Sequence, residues 1–189
     1  MAADFRSAHH WAWALMSEAL TEGSLCIDAT MGNGHDTLRM CQLTGPGGQV
    51  WAFDVQEEAL AATDRRLREA GVRERAELIL DSHVRMEAHV DVPVDGVMFN
   101  LGWLPGHDKA RRTQPESTLA AVNAALRLLK PEGLITVCAY PGHEEGSAER
   151  DALLQWAAAL DAKKYDALLK TYLNQPNDPP LLFAVRRRK

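Results

Sequence analysis

Leu25-Cys26-Ile27-Asp28-Ala29-Thr30-Met31-Gly32-Asn33-Gly34-His35-Asp36-Thr37 is an apolar run that ends in a glycine turn and opens a helical pattern. Such a turn brings main chain against a ligand: Gly32 and Gly34 carry no Cβ to obstruct its passage, and the free N–H groups of the following helix point at it. Asp28, Thr30, Gly32, Asn33, Gly34, His35, Asp36 and Thr37 are the candidates for that contact. A dinucleotide site would place a third glycine at position 37, where this chain has Thr37, so the turn favours the methionine and ribose of S-adenosylmethionine over a pyrophosphate. Asp54, twenty residues past Gly34, suits a ribose diol, a group that NAD carries equally, so it supports a nucleoside without choosing between the two. Gln56 follows it, and Ser82 and His83 close the next apolar run, beside the expected adenine.

Phe99-Asn100-Leu101-Gly102-Trp103-Leu104-Pro105-Gly106-His107-Asp108-Lys109 follows a fourth apolar run. In doubly wound folds this strand-end loop shares a crevice with the glycine turn, so Asn100 and Gly102 are placed near the cofactor. The Asn100 amide oxygen could orient a nucleophile. Trp103, with Leu104 and Pro105, either stacks on a flipped base or packs in a core. Tyr140-Pro141-Gly142-His143 ends the fifth run, and His143, with a reference pKa near 6.5, could take or relay a proton or simply face water. Asp108 is the alternative proton acceptor. His9, His10, His89 and His107 have weaker claims. Lys109, Arg111 and Arg112 beside the loop would meet phosphate. Asn174 and Gln175 supply amides in a proline-stiffened turn.

These residues need a frame. Candidate strands cover 24–29, 49–55, 76–82, 94–100, 133–140, 165–174 and 181–186. Helical patterns cover 57–70, 116–129 entered through Pro115, and 148–160 entered through Ser147. A further helical stripe, Ala8, Trp11, Ala12, Leu15, Ala19 and Leu20, precedes the first strand. The alternation predicts an α/β fold: a doubly wound, Rossmann-like, seven-stranded and mostly parallel sheet forming a single domain over 1–189. Six residues between the last two strands are too few for a parallel crossover, so the chain closes on an antiparallel hairpin, as in a class I methyltransferase. A dinucleotide domain would more often add a sixth parallel strand.

Net charge is −5, which argues against a generally basic nucleic-acid coat, but residues 1–100 hold 8 Lys/Arg against 16 Asp/Glu and residues 101–189 hold 13 against 10. The second half either faces phosphate or carries solvated cations. Cys26, Cys41 and Cys138 lack metal-ligand spacing and read as reduced core residues, so no metal is expected. With no membrane span and no signal-peptide pattern, the expected location is cytoplasmic.

Taken in order, Asp28 to Leu38, Phe53-Asp54-Val55-Gln56, Met98 to Pro105, Tyr140-Pro141-Gly142-His143 and Asn174-Gln175-Pro176-Asn177 with Pro179-Pro180 resemble the signatures of the small bacterial YtqB-like, or rRNA methylase, family across nearly the whole chain. The resemblance implies an S-adenosylmethionine-dependent N-methyltransferase acting on the aminomethyl group of 5-aminomethyl(-2-thio)uridine at the tRNA wobble position, the MnmM activity. It implies the tRNA anticodon region as partner and leaves a homodimer open. The chain departs from the family at Trp103, where Tyr is usual, at His107, where a second glycine is frequent, and at Arg111-Arg112-Thr113, where a Thr-rich segment stands. A methyltransferase acting on rRNA or a small molecule would share the cofactor motifs, and an NAD-binding oxidoreductase and a catalytically silent RNA-binding protein that keeps the fold are the other rivals.

Overall fold

Long apolar runs become strands where they can be covered on both faces. The computed structural model describes residues 7–101, 115–142 and 144–189. Among them, β1 (Leu25–Asp28), β2 (Gln49–Asp54), β3 (Ala76–Leu80), β4 (Val94–Asn100), β5 (Leu129–Ala139), β6 (Tyr165–Lys170) and β7 (Leu181–Arg187) form one sheet in the order β3-β2-β1-β4-β5-β7-β6. β1 to β5 are parallel and β7 runs antiparallel to both β5 and β6, so the expected mixed sheet with its closing hairpin is what forms. The order reverses between β1 and β4, and the crevice at the carboxyl ends of those strands is the place for a ligand.

Alternate side chains along each strand enter two separate cores. Ile27, Phe53, Val97, Phe99, Val137 and Phe183 face one layer, built by α4 (Met86–His89), α5 (Pro115–Leu128) and α6 (Glu144–Ala158). Cys26, Val50, Met98, Cys138 and Leu182 face the other, built by α1 (Ala8–Ala19), α2 (His35–Thr44) and α3 (Glu57–Glu69). All three cysteines are buried and free. α1 starts where the Ser7 hydroxyl accepts the His10 N–H at 3.2 Å. It presses on the sheet over Gly96, where a Cβ would stand 2.8 Å from Met16 Cε. α3 is stabilised at both ends by charge, with Glu57 and Glu58 in its first turn and Arg66 and Arg68 in its last.

Several boundaries shift by a residue or two, and three differ by four residues. α6 begins at Glu144, and Ser147, instead of capping it, donates to the Pro141 carbonyl at 3.1 Å. β5 begins at Leu129, paired with Val94, because a register shift between Val94 and Gly96 and a positive φ of 66° at Glu132 carry the strand past Pro131. β6 ends at Lys170 rather than at residue 174. The stripe on α1 also includes Trp13 and Met16, both fully buried, while Leu15 and Ala19 only border the core. Among the described residues, no helix is long and apolar enough to cross a membrane.

Candidate active site

The glycine turn after β1 has a left-handed backbone, with φ of 49° at Gly32 and 75° at Gly34. A Cβ at Gly34 would also stand 2.7 Å from Thr63 Oγ1, so glycine is required there twice over. α3 grips the turn from the side: the Thr63 hydroxyl donates to the Gly32 carbonyl at 3.1 Å, and Arg66 Nε donates to the Asn33 carbonyl at 2.7 Å. The Met31 N–H donates to the Phe53 carbonyl in β2 at 3.0 Å, and the Gly34 N–H closes onto the Met31 carbonyl at 2.7 Å. The turn is thereby rigid before any ligand arrives.

Three carboxylates surround it. Asp28 is buried at the end of β1 and accepts the Thr30 N–H at 3.1 Å and the Thr37 hydroxyl at 2.6 Å. Burial, and then the charge of Asp36, push its pKa up to about 7, although both hydrogen bonds pull the other way. Asp36 accepts Trp13 Nε1–H at 2.7 Å and His9 Nε2 at 2.8 Å. That hydrogen bond to His9 is the largest cause of a raised His9 pKa. The Arg39 guanidinium lies 4.2 Å from the Trp13 ring centroid and completes this corner. Asp54, half-buried at the end of β2, accepts the Gly32 N–H and the Gln56 N–H, each at 3.1 Å. Burial raises its pKa against those donors.

The opposite wall comes from β4 and β5. The Asn100 N–H donates to Thr30 Oγ1 at 2.8 Å, and the Leu101 N–H donates to the Cys138 carbonyl at 2.9 Å. The Tyr140 hydroxyl donates to Asn100 Oδ1 at 2.7 Å. Burial pushes the Tyr140 phenol up to about 12, so it stays protonated and remains a donor at neutral pH. Asn100 therefore turns its oxygen to Tyr140, and that oxygen keeps one further lone pair. His83 Nδ1 lies 2.9 Å from the Ala29 carbonyl, which can only accept, so this nitrogen carries the proton. Burial lowers the His83 pKa and keeps the ring neutral, edge-on to Phe99.

The family described as "Putative rRNA methylase" matches residues 50–186. The chain belongs to that rRNA methylase family. It is 35% identical over 192 aligned residues, 96% of this chain and 70% of its relative, to the tRNA (mnm(5)s(2)U34)-methyltransferase, chloroplastic, of Arabidopsis thaliana. A solved rRNA-methylase structure from Clostridium thermocellum has 35% identity and a TM-score of 0.95, covering 98% of this chain and 100% of the other. A methyltransferase from Streptococcus mutans, solved in complex with SAH, has 34% identity and a TM-score of 0.88, covering 97% and 99%. The chain is an RNA methyltransferase whose cofactor is S-adenosylmethionine.

The turn of this RNA methyltransferase fits that cofactor and not a dinucleotide. The Gly32 and Gly34 N–H groups are already bound to protein acceptors, and Asp28, Asp36 and Asp54 would repel a diphosphate. The same three carboxylates suit a ligand with an ammonium, a sulfonium and a ribose diol.

Asp28, Thr30, Gly32, Asn33, Gly34, Asp54, Gln56, His83, Asn100 and Tyr140 come together at one edge of the sheet. Thr37 is fully buried and reaches the site through Asp28; Asp36 is nearly so and is held by α1. His35 is exposed at the first residue of α2, and the Ser82 hydroxyl caps a short turn by accepting the Val84 N–H at 3.3 Å. Asp81 is engaged by His89 at 2.9 Å and Arg85 at 3.3 Å. Asn174 and Gln175 are exposed in the connection from β6 to β7, whose Asn177 carbonyl would lie 3.8 Å from a Cβ at Gly142. Gly102, Trp103, Leu104, Pro105, Asp108, Lys109, Arg111, Arg112 and His143 lie outside the described residues. Sequence reasoning missed Trp13, Thr63 and Arg66 and ranked His9 low; only the i, i+4 spacing of His9 and Trp13 hinted at their shared target.

Proposed function

We propose that this methyltransferase converts 5-aminomethyluridine, with or without 2-thiolation, to the 5-methylaminomethyl nucleoside at the wobble position of tRNA. The near full-length likeness to the chloroplastic tRNA methyltransferase carries this reading. The cofactor supplies an electrophilic methyl on a sulfonium. Asp54 accepts the ribose hydroxyls, Gly32 and Gly34 give the methionine end close passage, and Ser82 and His83 flank the adenine. Asn100, locked by Tyr140, accepts an N–H of the incoming amine with its remaining lone pair and aligns the nitrogen for in-line attack. A nitrogen–carbon bond forms as the sulfur–carbon bond breaks, and the amine's proton passes to Asp108 or His143, directly or through water.

Tyr140 is unsuited to be the base because its phenol holds its proton to about 12. Trp103, with Leu104 and Pro105, stacks the extruded uracil, Asn174 and Gln175 face the same substrate, and Lys109, Arg111 and Arg112 position the backbone of the anticodon arm. Mass spectrometry of wobble nucleosides from cells lacking the gene tests the reading. Accumulated aminomethyl nucleoside with no methylated product supports it, and an unchanged nucleoside profile would sink it.

A further inference from the structure

The far end of the sheet, where β5 begins and β7 ends, has no part in the chemistry above. A cleft of about 430 Å³ lies there, and its lining includes Arg127, Lys163, Lys164, Arg187, Arg188 and Lys189 but no carboxylate side chain. These cations come from three segments: the end of α5, the turn between α6 and β6, and the end of β7. Some are partly neutralised at the rim. Arg127 makes a two-pronged contact with Glu87 at 2.6 and 2.7 Å, Arg188 meets Asp166 at 2.6 Å, and Lys189 stands 3.5 Å from Glu132. Arg187 donates to the Leu129 carbonyl, which leaves its charge uncompensated. Lys163 and Lys164 are exposed and make no ion pair among the described residues.

Six cationic side chains against four nearby carboxylates, those of Glu87, Asp166, Glu132 and Asp161, whose Oδ1 accepts the Lys163 N–H at 2.9 Å, leave a local positive surplus in a chain whose net charge is −5. An ordinary solvated surface would intersperse the two signs. Here the cations share one concave surface and the acids stand outside it. β7 spans from Leu181, beside Ala139 at the active edge, to Arg187, so six residue steps at ~3.4 Å put the cleft about 20 Å from the reacting centre.

We propose that this cleft binds the phosphodiester backbone of the RNA substrate at a point remote from the methylated nucleoside. The proposal rests on the RNA-methylation reading and adds a second anchor to it. Cations splayed from three segments along an open surface match a row of phosphates better than one terminal phosphate. An acidic molecule also needs such a patch, because its own net charge repels RNA. Cation–phosphate pairs of this kind set position and affinity without reading sequence.

The test compares wild type with Lys163→Glu/Lys164→Glu and with the milder Lys163→Ala/Lys164→Ala. Both side chains are exposed, and unchanged S-adenosylmethionine affinity verifies the fold of each variant. Binding of tRNA carrying 5-aminomethyluridine at the wobble position is followed by fluorescence anisotropy over a range of salt. Charge reversal should weaken binding roughly tenfold at low salt, and the slope of log affinity against log salt should become shallower by about one for each phosphate that is no longer neutralised. In turnover, KM for tRNA should rise while kcat stays within about twofold. Equal affinity and equal slope in wild type and both variants would overturn the proposal. So would inorganic phosphate or ATP binding at the two lysines while tRNA affinity stays unmoved, which would make the cleft a small-anion site. If the variants lose tRNA affinity but wild type transfers no methyl to it, the anchor stands and the wobble reading falls.

Discussion

At the carboxyl ends of β1, β2 and β4, three carboxylates are fixed by named donors within a largely buried corner, whereas at the other end of the sheet six cations line an exposed cleft. Burial changes what each set can do. The acidic edge is desolvated, so its interactions are strong, directional and little affected by salt, and it can choose a cationic cofactor over a diphosphate. The basic end is solvated and screened, so it adds affinity for a polyanion without discriminating among sequences.

The comparison breaks most readily at Asp54. Asp54→Ala removes the acceptor for the ribose diol and orphans the Gly32 N–H. Calorimetric affinity for S-adenosylmethionine should fall by roughly 100-fold, about 2–3 kcal/mol for the loss of hydrogen bonds to a charged group. A loss below about threefold would show that the carboxylate does not hold the ribose.

Next is Thr37→Val, which keeps shape but leaves the buried Asp28 carboxylate without its 2.6 Å donor. Thermal or denaturant unfolding should show a loss of about 1–3 kcal/mol. A loss confined to cofactor affinity would instead place Thr37 in direct contact with the ligand.

Tyr140→Phe frees the Asn100 amide without touching the carboxylates. The expected result is a fall in kcat of about tenfold, near 1.4 kcal/mol, with cofactor affinity unchanged. Weaker cofactor binding at constant kcat would move Asn100 from the substrate to the cofactor side.

The smallest effect is at His9. Its pKa is raised by Asp36, so the pair's stabilisation is fully present below the ordinary histidine value near 6.5 and is lost as pH rises through the raised folded value. The raised pKa of Asp28 has the same sign, because its neutral form is favoured in the folded state and ionising it as pH approaches about 7 costs stability. Asp28 is common to wild type and His9→Ala, so the gap in Tm between the two reports His9 together with its attraction to Asp36 and, more weakly, to Asp28. That gap should narrow as pH rises from about 6.5 through the raised folded value, and a gap independent of pH would remove the ion pair as its cause.

The sheet was legible in the residues because buried parallel strands are continuous apolar runs, and the short link before Leu181 forced the hairpin. Boundaries were less legible where a local signal yields to pairing. Pro131 reads as a stop, yet Leu129 pairs across it. The glycine turn and Asp54 could be found from spacing alone, but Thr63 and Arg66, some thirty residues away, grip the turn through contacts that no local pattern encodes. Thr37 shows how a correct inference can rest on half a reason. It spoke against a dinucleotide by not being glycine, and the fold gives it a positive task, donating to Asp28. The basic end was visible as a surplus in residues 101–189, but that Lys163, Lys164 and Arg187 share one cleft follows only from the topology.

The most direct measurement is reconstitution with purified protein, methyl-labelled S-adenosylmethionine and two RNA preparations: tRNA carrying 5-aminomethyluridine at the wobble position, and ribosomal RNA. Label appearing in 5-methylaminomethyluridine, and not in ribosomal RNA, is the expected result. Label in ribosomal RNA, with the aminomethyl nucleoside left intact, would contradict it.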